Sequence, residues 1–174
     1  MDDVFISKET MKRILSDVKE IYKNPLEEHG IYYKHDEDNI LKGYIMIIGP
    51  SDTPYQYGYY FFNITFPDNY PYNPPIVKFQ CNPYNVRFHP NFYRNGKVCL
   101  SLLNTWKGEQ WTSCQSLSSV LLTMCSVMTI NPLLNEPGIS LRHRDNIPFN
   151  KIITYQNINF SIIDMITNDN IKKE

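Results

Sequence analysis

Four β-prone segments crowd into the first half of the chain, and their spacing leaves few folds open. Ile31 to Lys34 is short, and Ile40 to Ile48 is β-branched and closes on Gly49-Pro50. Tyr57 to Phe66 reads Tyr-Gly-Tyr-Tyr-Phe-Phe-Asn-Ile-Thr-Phe before Pro67-Asp68 stops it. Ile76 to Gln80 follows Tyr70-Pro71-Tyr72-Asn73-Pro74-Pro75, a stiff loop whose three prolines fix φ and constrain the residues before them. Consecutive strands with connections this short predict an antiparallel meander.

Helical spacing flanks the strands. Ser7 is placed to cap a helix with Met11, Ile14, Leu15, Val18, Ile21 and Tyr22 on its apolar side, ended by Asn24-Pro25. Lys8, Lys12, Arg13, Lys19 and Lys23 occupy its other face. Ser113 is placed to cap a second helix with Leu117, Val120, Leu121, Met124 and Met128 on one side, ended by Asn131-Pro132. A third runs from about Asn150 to Asn168 and carries Ile152, Ile153, Phe160, Ile163 and Ile166. Strands grouped together with helices at either end make the fold class α+β. At 174 residues, the chain is expected to form a single domain, 1-174.

Composition narrows the function classes. Seventeen Lys+Arg against eighteen Asp+Glu give a net charge of −1, which supplies no drive toward nucleic acid or an anionic membrane. The most apolar run, Val120 to Ile130, is 11 residues, against the roughly 20 that span a bilayer. Met1-Asp2-Asp3-Val4 lacks the basic start of a secretory signal. The expected location is therefore cytoplasmic and/or nuclear, without a membrane or nucleic-acid partner. Cys81, Cys99, Cys114 and Cys125 show no zinc-like spacing, so no metal site is expected.

From Cys81 to Thr112 the periodicity disappears, yet the segment holds both tryptophans, prolines and several apolar residues, the mark of an ordered, packed loop. Within it lies Phe88-His89-Pro90-Asn91-Phe92-Tyr93-Arg94-Asn95-Gly96-Lys97-Val98-Cys99-Leu100-Ser101-Leu102-Leu103. A lone cysteine in an apolar run is ordinarily a small core residue, and Cys81, Cys114 and Cys125 are read that way. Cys99 differs, because a tight-turn signal, Asn95-Gly96, precedes it and the rigid His89-Pro90-Asn91 lies upstream. A cysteine at the mouth of an irregular segment with an amide donor nearby suits acyl chemistry.

His-Pro-Asn, a cysteine eight positions after the asparagine, Phe-Pro-Asp-Asn-Tyr-Pro-Tyr-Asn-Pro-Pro upstream and Trp-Thr-Ser downstream together resemble the ubiquitin-conjugating enzymes. The resemblance runs from the first helix to about Pro137, and Asn131-Pro132-Leu133-Leu134-Asn135-Glu136-Pro137-Gly138 resembles a subgroup of larger members. It implies a UBC-like α+β fold: an N-terminal helix, a four-stranded antiparallel meander, a long ordered active-site loop, and central and C-terminal helices. It implies that Cys99 accepts ubiquitin or a ubiquitin-like protein from an activating enzyme as a thioester and passes it to a substrate lysine, usually with a ligase. Asn91 is then the residue that braces the loop or stabilises the oxyanion, and Glu136 the carboxylate that orients the lysine. His89 and Pro90 support the loop, and Leu100 helps cover the thioester. Tyr72, Thr112 and Ser113 touch a ligase, while Lys8, Lys12 and Arg13 meet the activating enzyme. The implied partners are thus ubiquitin or a ubiquitin-like protein, activating enzyme, ligase and protein substrate, with no metal or organic cofactor.

Two rivals remain on the sequence. One is a cysteine hydrolase using His143 or His89 as base. The other is a catalytically weak scaffold that binds ubiquitin or a ligase, although such members usually lack the cysteine or the His-Pro-Asn loop. Departures from the family pattern are Ser113 in place of proline, Ser101 where aspartate is common, and a longer stretch from Asn104 to Trp111. The end at Glu174 leaves little room for the last of the family's usual helices.

Overall fold

The computed structural model describes residues 6–80 and 85–167. Helix α1, Lys8–Lys23, is capped by Ser7, whose hydroxyl accepts the Thr10 N–H at 3.0 Å. Ile14, Val18 and Ile21 are buried as the spacing predicts, whereas Leu15 and Tyr22 are more than half exposed. Asp17 takes a buried place on that side instead, held by the Tyr70 hydroxyl and by Arg13 Nε at 3.1 Å. A charge is tolerated there because both carboxylate oxygens have donors.

Strands β1 (Ile31–His35), β2 (Lys42–Ile48), β3 (Tyr59–Thr65) and β4 (Ile76–Phe79) pair antiparallel in the order β1-β2-β3-β4. This is the expected meander. Two expected strand starts move inward. Asn39 turns the chain with its side-chain oxygen on Leu41 N–H, and Tyr57 has a left-handed φ of 62° that no strand accommodates. The register sets Ile47 against Tyr60, Ile45 against Phe62, and Phe62 against Phe79, so alternate residues bury one face. That face meets Val120, Leu121 and Met124 of α2, Leu117–Ser126.

Helix α2 begins later than Ser113. Ser116 is its cap, in a reciprocal capping box with Ser119. The chain from Thr112 to Gln115 is a turn instead, closed by Gln115 N–H on Thr112 O at 3.0 Å. Cys114, on this turn, is exposed and packs in no core. Cys125 is half-buried, its thiol against the His29 carbonyl at 3.7 Å.

Helix α3 spans Asn146–Gln156, starting before the expected Asn150. Pro148 fits its first turn, where backbone N–H groups have no helical partner. A π-helical stretch, Asn157–Ile163, follows, and then α4, Asp164–Thr167. Asn157 is the anchor of this wider turn. Its Oδ1 accepts the Tyr60 hydroxyl at 2.6 Å and its Nδ2 donates to Gln56 O at 2.9 Å. Residue 58 is glycine because a Cβ there would stand 1.8 Å from Asn157 Oδ1. Ile153 is buried and Phe160 half-buried, but Ile152, Ile163 and Ile166 face outward. Met1-Asp2-Asp3-Val4, Cys81, the expected helix end at Asn168 and the end at Glu174 lie outside the described residues.

Candidate active site

Cys99 sits on a small hairpin built from local turn chemistry. Phe92 bridges Val98, Tyr93 N–H donates to Lys97 O at 2.9 Å, and Cys99 N–H donates to Asn91 O at 2.8 Å. Gly96, with φ of 85°, closes the turn. Asn91 therefore lies directly across from Cys99, and Tyr93 lies diagonal to it on the same face. The Asn91 side chain reinforces the pairing, its Nδ2 donating to Cys99 O at 2.6 Å. Its Oδ1 is buried and has no partner among the described residues. Thr105 Oγ1 secures the far side, accepting Leu100 N–H at 2.9 Å and donating to Val98 O at 2.9 Å.

His89 ties this hairpin to the end of α2. Its Nδ1 accepts Asn91 N–H at 2.9 Å, which leaves Nε2 to donate to Val127 O at 2.9 Å. The ring is fully buried, and that burial pushes its pKa down to about 4, against the Val127 acceptor and with a smaller push from Arg87. With both nitrogens committed to backbone, His89 offers Cys99 no base. His143 stands on the turn before α3, where Nδ1 accepts Asp145 N–H at 3.3 Å.

The sequence places Cys99 at the mouth of its segment, but the residue is only 3% exposed. Tyr93, half-buried on the same hairpin face, has a phenol pKa raised by burial and by the neighbouring Cys99 sulfur. Arg87 stacks on the Tyr93 ring with its guanidinium carbon 4.7 Å from the centroid. Its Nη2 donates to Pro90 O at 2.8 Å and pairs with Glu136 Oε1 at 2.6 Å. Glu136, at the end of the 3-10 turn Pro132–Asn135, is thereby brought to the site, already carrying a cation.

Leu100 has an extended backbone and is buried in the core. The longer Asn104–Trp111 stretch closes on itself, with Trp111 N–H on Asn104 Oδ1 at 2.8 Å. A Cβ on its Gly108 would stand 3.0 Å from Ser101 Cβ, which favours a small residue at 101.

The expected partner-contact residues converge at one end. Tyr72 is 65% exposed, and its hydroxyl donates to Glu9 of α1 at 2.9 Å. Thr112 and Ser113 are exposed, as are Lys8 and Lys12. Arg13 is not a free basic group. It donates to Ser113 O at 2.7 Å and Gln115 O at 2.5 Å, and so fastens the turn before α2 to α1. Trp111 Nε1 donates to Pro71 O at 2.7 Å and links that turn to the proline-rich loop.

Arg87 and Tyr93 were not singled out by the sequence. Tyr93 had a readable signal, since an Asn95-Gly96 turn places it on the same face as Cys99. Arg87 had none, because Glu136 is 49 positions away. Among the described residues, no group of three or more His, Cys, Asp or Glu side chains could hold a metal, and no helix is long and apolar enough to cross a membrane.

The family model for ubiquitin-conjugating enzymes matches residues 13–157. The chain is 43% identical over 168 residues to ubiquitin-conjugating enzyme E2 Z of Xenopus tropicalis, covering 95% of this chain and 53% of that protein. Human E2 Z is 45% identical over 157 residues, or 88% and 44% of the two chains. The human dual E2 ubiquitin-conjugating enzyme/E3 ubiquitin-protein ligase BIRC6 is 40% identical over 115 residues, 63% of this chain and 2% of that one. The chain thus spans about half the length of the E2 Z proteins it matches.

Proposed function

The chain belongs to the ubiquitin-conjugating enzyme family, and on that footing we propose that it carries ubiquitin or a ubiquitin-like protein on Cys99 and delivers it to a lysine. The observation that carries this reading is the Asn91–Cys99 hairpin, which sets a cysteine opposite an asparagine amide with 2.6 Å between Nδ2 and the Cys99 carbonyl. In the loading step the Cys99 thiolate attacks the carbonyl carbon of the activating enzyme's thioester. A new C–S bond forms, the old one breaks, and the activating enzyme's thiolate leaves. ATP is consumed upstream, so Cys99 exchanges one activated acyl bond for another.

In the second step a neutral lysine amine attacks the Cys99 thioester, an isopeptide C–N bond forms, the Cys99 thiolate departs, and the amine's surplus proton passes to solvent. The protein's share of this step is orientation and charge stabilisation. An amide donor at the oxyanion contributes roughly 3 kcal/mol in other enzymes. Asn91 is the amide at the site, with a second Nδ2 hydrogen beside the one given to Cys99 O, Glu136 is the carboxylate, paired with Arg87 at rest, and neither histidine is needed as a base. Tyr72, Thr112 and Ser113 form the face offered to a ligase, and Lys8 and Lys12 the face offered to the activating enzyme.

Incubation with activating enzyme, ATP and ubiquitin is expected to give a reductant-sensitive adduct, and Cys99→Ser a reductant-stable one. A Cys99→Ser chain that forms no oxyester, beside a Cys114→Ser chain that loses loading, refutes the assignment. A panel of ubiquitin-like proteins with their activating enzymes identifies the donor.

A further inference from the structure

Cys99 is closed by a constellation that the transfer chemistry alone does not require. Tyr93 shares the hairpin face of Cys99 and its phenol senses the sulfur, and the Arg87 guanidinium stacks on the Tyr93 ring at 4.7 Å. One guanidinium nitrogen is shared between Pro90 O at 2.8 Å and Glu136 Oε1 at 2.6 Å. Pro90 lies next to Asn91, and Glu136 comes from the turn after α2, so Arg87 joins the hairpin to a second element at the mouth of the site. Arg87 Nε is buried without a partner among the described residues. The guanidinium is therefore held by its stack, the Pro90 carbonyl and its ion pair, with Nε left over, an arrangement that a competing cation can displace.

We propose that Arg87 is a positioning residue for acyl transfer: stacked on Tyr93 and paired with Glu136, it keeps the phenol over the Cys99 sulfur and the carboxylate occupied until a donor terminus or an acceptor amine displaces it. The proposal rests on the conjugating function set out above. Tyr93 and Cys99 are diagonal on one face of the hairpin, so rotation of the Tyr93 side chain opens the thiol without moving the backbone. The same guanidinium pairs with Glu136, the carboxylate proposed to draw in a lysine. At loading, the donor terminus displaces Tyr93 and with it the stack on Arg87; in the loaded chain, an arriving lysine ammonium competes with Arg87 for Glu136.

The first test needs no ubiquitin. Iodoacetamide alkylation of the full chain, resolved by peptide mass, compares Cys99 with exposed Cys114 as internal reference. Arg87→Ala and Tyr93→Ala are each expected to raise Cys99 alkylation at least threefold relative to Cys114. The double variant should match Tyr93→Ala, because the arginine acts through the ring. Arg87→Lys, which keeps the charge and loses the planar stack, should move in the same direction. Glu136→Gln provides the same reading should Arg87→Ala not fold. The second test is single-turnover discharge of the loaded chain onto free lysine, where Arg87→Ala should lower the lysine KM and Arg87→Ala/Glu136→Gln should not. Unchanged Cys99 alkylation in the folded variants, or an Arg87→Ala lysine KM equal to that of the wild type, overturns the proposal. A wild-type chain that fails to load overturns the conjugating function, while the alkylation result still decides the latch.

Discussion

Replacing His89 with asparagine tests how the active-site hairpin is held to α2. The His89 ring is fully buried and neutral, with Nδ1 accepting Asn91 N–H and Nε2 donating to Val127 O, each at 2.9 Å. Burial lowers its pKa to about 4 in the folded protein, against about 6.5 in the unfolded chain. Between these values the unfolded state binds a proton that the folded state refuses, so acidification favours unfolding. The contribution of His89 is whole above about pH 6.5 and is lost as the pH falls toward 4. Below that both states are protonated and the loss levels off. At roughly 1.4 kcal/mol per pH unit, the loss is about 2 kcal/mol at pH 5 and about 3 kcal/mol at pH 4. Urea midpoints measured from pH 7.5 to 4 on wild type and His89→Asn read this directly, and a loss of 2 kcal/mol moves the wild-type midpoint by about 1 M. The variant starts less stable, since asparagine does not span from Asn91 to Val127, but its midpoint should fall less steeply with acid. Parallel curves for the two proteins would show that His89 does not titrate on unfolding, and the account of its burial would be wrong.

Two further substitutions probe neighbouring contacts. Asn91→Ala removes the 2.6 Å bond to Cys99 O and the amide at the site. It should leave loading nearly intact and slow discharge onto lysine by roughly 100-fold, and equal discharge rates reject its role. Arg13→Ala deletes the bonds to Ser113 O and Gln115 O and leaves buried Asp17 with the Tyr70 hydroxyl as its hydrogen-bond partner among the described residues. It should cost about 2 kcal/mol in urea unfolding, while Lys12→Ala on the exposed side stays within about 0.5 kcal/mol. Equal losses would place Arg13 with the solvated lysines.

The meander was legible because strand propensity, period-2 burial and turn residues act over a few positions. Val77 and Phe79 face inward, and Ile76 and Lys78 outward, as alternation demands. The hairpin bearing Cys99 was legible for the same reason, since Asn95-Gly96 makes a turn whatever surrounds it. Ser113 was a plausible cap by type, but Arg13, 100 positions away, claims its carbonyl, and Ser116 makes the cap. The straight helix expected from Asn150 widens at Asn157 because that side chain reaches Tyr60, 97 positions away.

The local chain, then, determined which residues form the sheet and that a cysteine stands opposite an asparagine. Tertiary packing decided that this cysteine is closed, that His89 is neutral, and that Arg87 rather than solvent occupies Glu136. Turn geometry and side-chain alternation are properties of neighbouring residues, whereas burial and ion pairing depend on what the rest of the chain brings within a few ångströms.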